Sequence, residues 1–463
     1  MSHKSDIICL LLVLFVTSIP RFTHDVMLIF CARLKTAKDF CKIMKQKIIT
    51  RATSSFMSHY TKKYLHIEQQ TNRGLPSCIE DKKYLLYIHI PFCTMFCPYC
   101  SFNKFKYTKE EAATYFSSLR DELLHVKALG YDFDHLVIGG GTPLIDEDEL
   151  IKTIELCKKL FDIKDVSCES DPNHIQKPTI QRLVGLVDRI SIGVQSFDDE
   201  VLKKLGRYEK FGSSSQVYEK IEGMLGMLPL TSVDMIFNFP NQTPEGIVKE
   251  LEILQSLSPE QTSIYPLMTS SSVSSNVKKT LGEYSVTQEY DFYKIITKTL
   301  QKMYPSQHGW SYSKDNGVII DEYIIDNKEY IGVGSGSFSF LNDTLYLNEF
   351  SLDKYAELVS KKGSAVTKMR TFPRQSQMYY RLMVDLFNGK LSKRRFATEF
   401  GIPISQKLSK ELWLLKVAGA IKDNGETITT TEFGSYLFMV MMKEFYMGMD
   451  YIRDGERKKL GVI

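Results

Sequence analysis

Between residues 84 and 267 the chain alternates apolar, β-branched runs with amphipathic ones, six times in succession. Residues 84–90, 135–138, 166–169, 189–194, 233–237 and 263–267 read as strands. Helical spacing fills the intervals at 109–129, 146–161, 177–186, 198–205, 214–227 and 244–257. Asp146 followed by Glu149 is a helix-start signature. Strands alternating with helices imply a parallel sheet. Right-handed crossovers curl such units into a full or partial barrel. Ligands of such barrels gather at the carboxyl ends of the strands, and every glycine-rich or polar motif of this stretch falls there. The expected fold class is α/β: a partial (β/α)6 TIM-like barrel with a mostly helical C-terminal domain.

The first strand runs into Tyr87-Ile-His-Ile-Pro-Phe-Cys93-Thr-Met-Phe-Cys97-Pro-Tyr-Cys100-Ser-Phe102. The C-x3-C-x2-C spacing offers three thiolates, the soft ligands preferred by a four-iron cluster. Three ligands leave the fourth iron open to a substrate or cofactor. A zinc site would need a second Cys or His pair, and none is apparent. Nine cysteines in 463 residues do not make a disulfide framework. Cys157 shares a helical face with Leu150, Ile151, Ile154 and Leu160, and Cys168 sits in a strand-like run. Both read as core.

This signature resembles that of the radical S-adenosylmethionine (SAM) enzymes. The resemblance implies a 4Fe-4S cluster on Cys93, Cys97 and Cys100, with SAM chelated at the open iron. SAM is then cleaved to methionine and a 5′-deoxyadenosyl radical. It also implies a low-potential electron donor such as flavodoxin or ferredoxin. Gly139-Gly-Gly-Thr-Pro143 follows the second strand, and glycines let a backbone approach a ligand closely. Glu169, Gln195, Arg207 and Asp234 come at or just after later strand ends. Carboxylates suit ribose hydroxyls, and an arginine suits a carboxylate. Together these motifs resemble the coproporphyrinogen dehydrogenase-like branch of the family, over residues 84–460. By that resemblance Tyr87, Gly140, Gly141, Thr142, Glu169, Gln195, Arg207 and Asp234 bind SAM, and Phe102 contacts adenine. A second SAM can lie in this branch near Gly141 and residues 265–268.

Within the branch, the dehydrogenase has a fourth cysteine where Phe102 stands here; the heme chaperones share the phenylalanine. Five later stretches resemble the heme-utilization radical SAM methyltransferases: residues 237–243, 264–268, 310–313, 332–339 and 441–454. Asn238 belongs to this set. The implied reaction is anaerobic opening of heme by methylation and ring cleavage, giving a linear tetrapyrrole and free iron. The alternatives are coproporphyrinogen III dehydrogenase and a heme chaperone. Tyr265, Trp310 and Tyr312 are aromatic candidates for a macrocycle pocket, with core packing as the competing role. His308 is a candidate ligand for heme iron, with a structural role as the competing reading, and His89 reads as structural support. The methionines 439, 441, 442, 447 and 449 read as core, or as a lid over heme.

A net charge of +4 without a Lys/Arg stripe implies no nucleic-acid partner. A low-potential cluster implies the cytoplasm. Against this, residues 7–16 form a ten-residue apolar run behind Lys4. That is too short to span a membrane, which takes ~20 residues, and it resembles a signal-peptide core. Translation beginning at Met44 or Met57 reconciles the two, and no stable membrane insertion is expected. The expected division is an N-terminal extension at 1–80, the barrel and a strand-rich segment at 81–345, and the helical domain at 346–463.

Overall fold

The computed structural model describes residues 37–65, 67–69, 74–78, 83–283, 288–314 and 329–461. Six parallel strands stand side by side in chain order. They are β1 (Tyr84–Ile90), β2 (Phe133–Gly140), β3 (Asp165–Ser170), β4 (Arg189–Gln195), β5 (Leu230–Phe237) and β6 (Gln261–Pro266). A seventh, β7 (Tyr330–Val333), runs parallel to β1 on its free side. Antiparallel strands extend both edges. Ser311–Ser313 and Ser306–His308 follow β6; Phe338–Leu341, Thr344–Asn348, Val366–Thr371 and Glu68–Gln69 follow β7. The expected partial barrel is thus present, enlarged by β7 and its antiparallel continuation. The run at 315–328, which precedes β7, lies outside the described residues.

The two-residue period of a strand divides the sheet by chemistry. Leu86, Ile88 and Ile90 of β1, Leu136 and Ile138 of β2, Val166 and Cys168 of β3, and Ile190 and Ile192 of β4 share one apolar core with Leu119, Leu123, Ile154, Cys157 and Leu254 of the covering helices. Burying each of these larger side chains contributes ~1.5–3 kcal/mol. Cys157 and Cys168 are fully buried, as expected of core. On the other face Leu85, Tyr87 and Val137 of β1 and β2 form a small apolar cluster with Tyr330, while the alternate residues of β3 to β6 are largely polar. Arg189 donates to Ser167 Oγ (3.0 Å), Ser191 Oγ (3.2 Å) and Gln261 Oε1 (2.8 Å), and Ser191 Oγ donates to Asp234 (2.7 Å). One face therefore packs on helices while the other carries a polar network from β3 to β6.

Helix starts follow their sequence signals. Thr108 caps Lys109–Ala128, and the Asp146 carboxylate accepts the Glu149 N–H at 3.3 Å to cap Glu147–Leu160. The helix read at 214–227 ends earlier, at Glu222, in a region of turns that includes Gly223 and Gly226. Beyond residue 373 the described residues form five helices, of which Ile404–Lys407 is too short to show a period in the sequence. Ile421–Asp423 and Thr427–Thr430 form a hairpin that pairs with Lys390–Ser392 into a three-stranded sheet. Trp310 and Tyr312 are packed as core, Trp310 between Tyr265, Phe387 and Tyr446. Met439, Met442 and Met449 are buried.

Residues 37–64, read as patternless, form a helix, Ala37–Tyr64. It lies against the last helix, Glu432–Lys459, with Ser54 Oγ donating to Glu444 at 2.5 Å. The apolar run at 7–16 lies outside the described residues. Among the described residues no helix is long and apolar enough to cross a membrane.

Candidate functional site

The site forms where β1 and β2 end. After β1 the short strand Phe92–Cys93 pairs in parallel with Phe105–Lys106, so residues 94–104 close as a loop. Backbone bonds fix its stem: Phe105 N–H to Pro91 O at 2.6 Å and Tyr107 N–H to Cys93 O at 3.1 Å. Within it the Cys100 N–H donates to Cys97 O at 3.2 Å, folding the second and third cysteines into a tight turn. His89 anchors the far side. Its Nε2 lies 3.0 Å from the Asn103 carbonyl, which can only accept, so Nε2 carries the proton and Nδ1 accepts the Tyr87 hydroxyl at 3.0 Å. Burial holds His89 down at about 4, so its ring is neutral at ordinary pH. Burial, then the Glu169 carboxylate, raise Tyr87 above the ordinary tyrosine range, keeping its hydroxyl protonated.

The glycine loop meets the cysteine loop directly. Gly140 has φ +121°, and a Cβ on Gly141 would stand 2.4 Å from Phe92 O and 3.0 Å from Cys93 Sγ. Only glycine allows this approach. The Gly140 N–H donates to Glu169 at 3.1 Å, joining β2 to β3. Thr142 Oγ1 lies 3.9 Å from Cys93 Sγ and 3.3 Å from Asp171.

Arg207 supplies the cationic side. Its Nη1 lies 3.3 Å from Cys97 Sγ and 3.4 Å from the Tyr99 hydroxyl, its Nη2 donates to Gly193 O, and its plane stacks on Phe211 at 4.5 Å. Its Nε is buried without an acceptor. Gln195 and Asn238, which end and follow β4 and β5, have φ of +76° and +70°. Such left-handed residues cost ~1–3 kcal/mol each and concentrate at functional sites.

The sequence-predicted residues do not form one contact shell. Cys93, Gly141, Thr142, Glu169 and Gly140 meet at the β1–β3 ends, and Arg207 joins them through Cys97. Asp234 sits deeper, held by Ser191 and by Ser232 at 3.2 Å. Phe102 is 40% exposed beneath the Arg453 guanidinium, 4.8 Å away. Two features were not singled out from sequence. Asp171 accepts from His174 at 2.7 Å and lies 3.5 Å from Lys210. Burial alone would raise this carboxyl, but His174 and Lys210 hold it at about 2. The second is the charged face of the last helix. Asp-Pro-Asn-His at a strand end, and charges at 450, 453, 454 and 457, are the signals that could have found them.

The three thiols suit a four-iron cluster. Burial, then the neighbouring Cys100, push Cys93 up to about 11, leaving it a neutral thiol that yields its proton only to a metal. Arg207 offsets the thiolate charge this creates. Among the described residues no three His, Cys, Asp or Glu side chains converge tightly enough for a single ion. A cubic cluster binds each thiolate through a different iron, so its ligands stand further apart.

Residues 87–254 match the radical SAM superfamily, whose proteins use a 4Fe-4S cluster and SAM. The chain is 26% identical to the heme chaperone HemW of Bacillus subtilis, over 76% of this chain and 96% of that protein. It is also 26% identical to an oxygen-independent coproporphyrinogen III oxidase of Helicobacter pylori, over 80% and 87%. The fold is that of coproporphyrinogen III oxidase (HemN) from Escherichia coli, with a TM-score of 0.68 at 22% identity, covering 78% of this chain and 90% of that one. Residues 87–254 therefore form a radical SAM domain, and the chain around it is similar to HemN and HemW.

Proposed function

We propose that this chain is a cytoplasmic radical SAM enzyme acting on a tetrapyrrole, and that its reaction opens heme with methyl transfer and iron release. The observation that carries the tetrapyrrole reading is the extent of similarity. It covers 96% of a heme chaperone and 87% of a coproporphyrinogen oxidase, so it extends far beyond the cluster loop. Phe102, in place of a fourth cysteine, favours heme opening over the oxidase reaction. Asn238 supports the same choice: it is buried and hydrogen-bonded to Glu289 at 3.2 Å, in a network shared with the last helix.

In this reading Cys93, Cys97 and Cys100 hold the cluster, which with SAM supplies a one-electron start to the reaction. Gly140, Gly141 and Thr142 present backbone and hydroxyl groups to SAM. Tyr87, Glu169, Gln195, Arg207 and Asp234 orient it, and Phe102 packs beside its adenine. A flavodoxin or ferredoxin delivers the electron. The 81–345 barrel holds these groups, the 346–463 segment covers the substrate, and residues 1–80 take no part in the chemistry.

A chaperone that binds heme without turnover is the second reading, favoured by the match to HemW and the shared phenylalanine. An anaerobic assay with SAM, a low-potential reductant and heme separates them. A methylated linear tetrapyrrole with 5′-deoxyadenosine and released iron is expected. Intact bound heme and no product would replace the proposal with the chaperone, and decarboxylation of coproporphyrinogen III would replace it with the oxidase. Cys97→Ala should abolish both the cluster's visible absorption and 5′-deoxyadenosine formation; a variant that retained either would refute the ligand assignment.

A further inference from the structure

The walls described so far come from strand ends, but another comes from the opposite end of the chain. Helix Glu432–Lys459 places Asp450, Arg453, Asp454 and Arg457 at i, i+3, i+4 and i+7, which is one helical face. That face is turned inward: Asp454 is 2% exposed and Arg457 4%. Two sets of contacts seat it against the site, and an electrostatic interaction accompanies them. Arg453 lies over Phe102 at 4.8 Å and over Phe338 at 5.4 Å. Asp454 accepts the Ser272 N–H at 2.9 Å, the Ser271 hydroxyl at 3.2 Å and the Ser272 hydroxyl, all from the segment that follows β6. Arg457 feels the Asp454 and Asp450 carboxylates of its own face and the Cys100 side chain electrostatically.

The charges on this face are not equally satisfied. Asp450 pairs with Arg453 at 2.6 Å, and Asp454 is taken by the two serines. Arg457 is the exception, because its Nε and Nη1 are buried with no hydrogen-bond acceptor among the described residues. Native proteins rarely leave a buried donor unpaired, and an uncompensated buried cation is costlier still. Among the described residues the carboxylates nearest this guanidinium are engaged elsewhere, which leaves its Nε–H and Nη1 N–H open to a bound acceptor.

We propose that Arg457 is a carboxylate-binding residue of this site, taking a carboxylate of a molecule bound between the last helix and the Cys93–Cys100 loop. A planar guanidinium matches a carboxylate through two parallel N–H bonds, which lysine cannot reproduce. Two sources present that group here: the amino-acid end of SAM, and the propionates of a tetrapyrrole. The second source rests on the reading under Proposed function.

The test uses the full chain with reconstituted cluster and reads binding rather than turnover. The probes are protoporphyrin IX, its dimethyl ester and SAM, on wild type, Arg457→Met and Arg457→Lys. Methionine keeps the stem and removes the charge; circular dichroism and melting check the fold, and the lysine variant covers a misfolded methionine one. If the propionates are the source, the methionine variant loses about tenfold in affinity for the diacid, the ester is unaffected, and lysine restores part of the loss. If SAM is the source, SAM affinity falls by a similar factor and both porphyrins are unaffected. Unchanged affinity for diacid and SAM alike overturns the proposal. Wild type binding neither porphyrin overturns the tetrapyrrole reading instead, and the SAM arm alone then decides for or against Arg457.

Discussion

His89 contributes to the site only while it is neutral. Its Nδ1 accepts from Tyr87 and its Nε2–H reaches the Asn103 carbonyl, so a second proton would meet a donor already in place. Burial lowers its value from 6.5 to about 4. For a base with a depressed folded value, the unfolded chain binds the extra proton first. Stability is therefore complete above ~6.5 and is lost as pH falls from there toward 4, by about 3 kcal/mol in all. Urea midpoints between pH 7 and 4.5 should fall more steeply for wild type than for His89→Gln; parallel curves would refute this. Gly141 makes the second prediction at this scale. Alanine there must displace Phe92 O or Cys93 Sγ, costing about 1–3 kcal/mol. Iron bound per chain after reconstitution should fall, and full loading would contradict the close approach. The cysteines and glycines were legible because their spacing is local. Asp171 was not singled out, since its role depends on Lys210, a residue 39 positions away on another element.

At the scale of elements, the strand–helix alternation was legible because two periods, 2.0 and 3.6, are written in the order of apolar residues. Ends were less so: the helix read to 227 stops at Glu222. Least legible was how the last helix docks. Lys443 and Glu289 form a buried pair, with side chains 6% and 1% exposed. Glu289 also accepts from Asn238 at 3.2 Å and Tyr436 at 3.4 Å. This pair ties Glu432–Lys459 to helix Glu289–Leu300 and to the end of β5. A lysine among methionines gives no sign of a partner 154 residues away. Removing Lys443 leaves the buried Glu289 charge to the neutral donors Asn238 and Tyr436. Lys443→Met should therefore cost about 3–5 kcal/mol, and adding Glu289→Gln should recover most of it. A denaturation midpoint for Lys443→Met equal to wild type, or no recovery in the double variant, would show that the pair is not what holds the helix.

At the scale of the molecule, the two ends of the described chain meet. Helix Ala37–Tyr64 lies on Glu432–Lys459, the helix whose inner face carries Arg453, Asp454 and Arg457. Nothing in residues 37–64 announced this, because their apolar residues fall on no single face. What permits the contact is on the partner helix. A Cβ on Gly448 would stand 2.7 Å from Thr61 Cβ and 2.9 Å from Leu65 Cδ1, whereas a Cβ on Gly455, two turns on, would meet nothing within 4 Å. The two glycines thus separate packing from helix propensity. Gly448→Leu should force the helices apart, destabilise by about 1–3 kcal/mol and open residues 37–65 to limited proteolysis. Gly455→Ala should leave that segment protected and raise stability by about 0.5–1 kcal/mol, as alanine does within a helix. Equal protease resistance in the two variants would mean that the first helix is dispensable to the seat of the last. Selective cleavage in Gly448→Leu would mean that it helps to hold the charged face against the cluster loop.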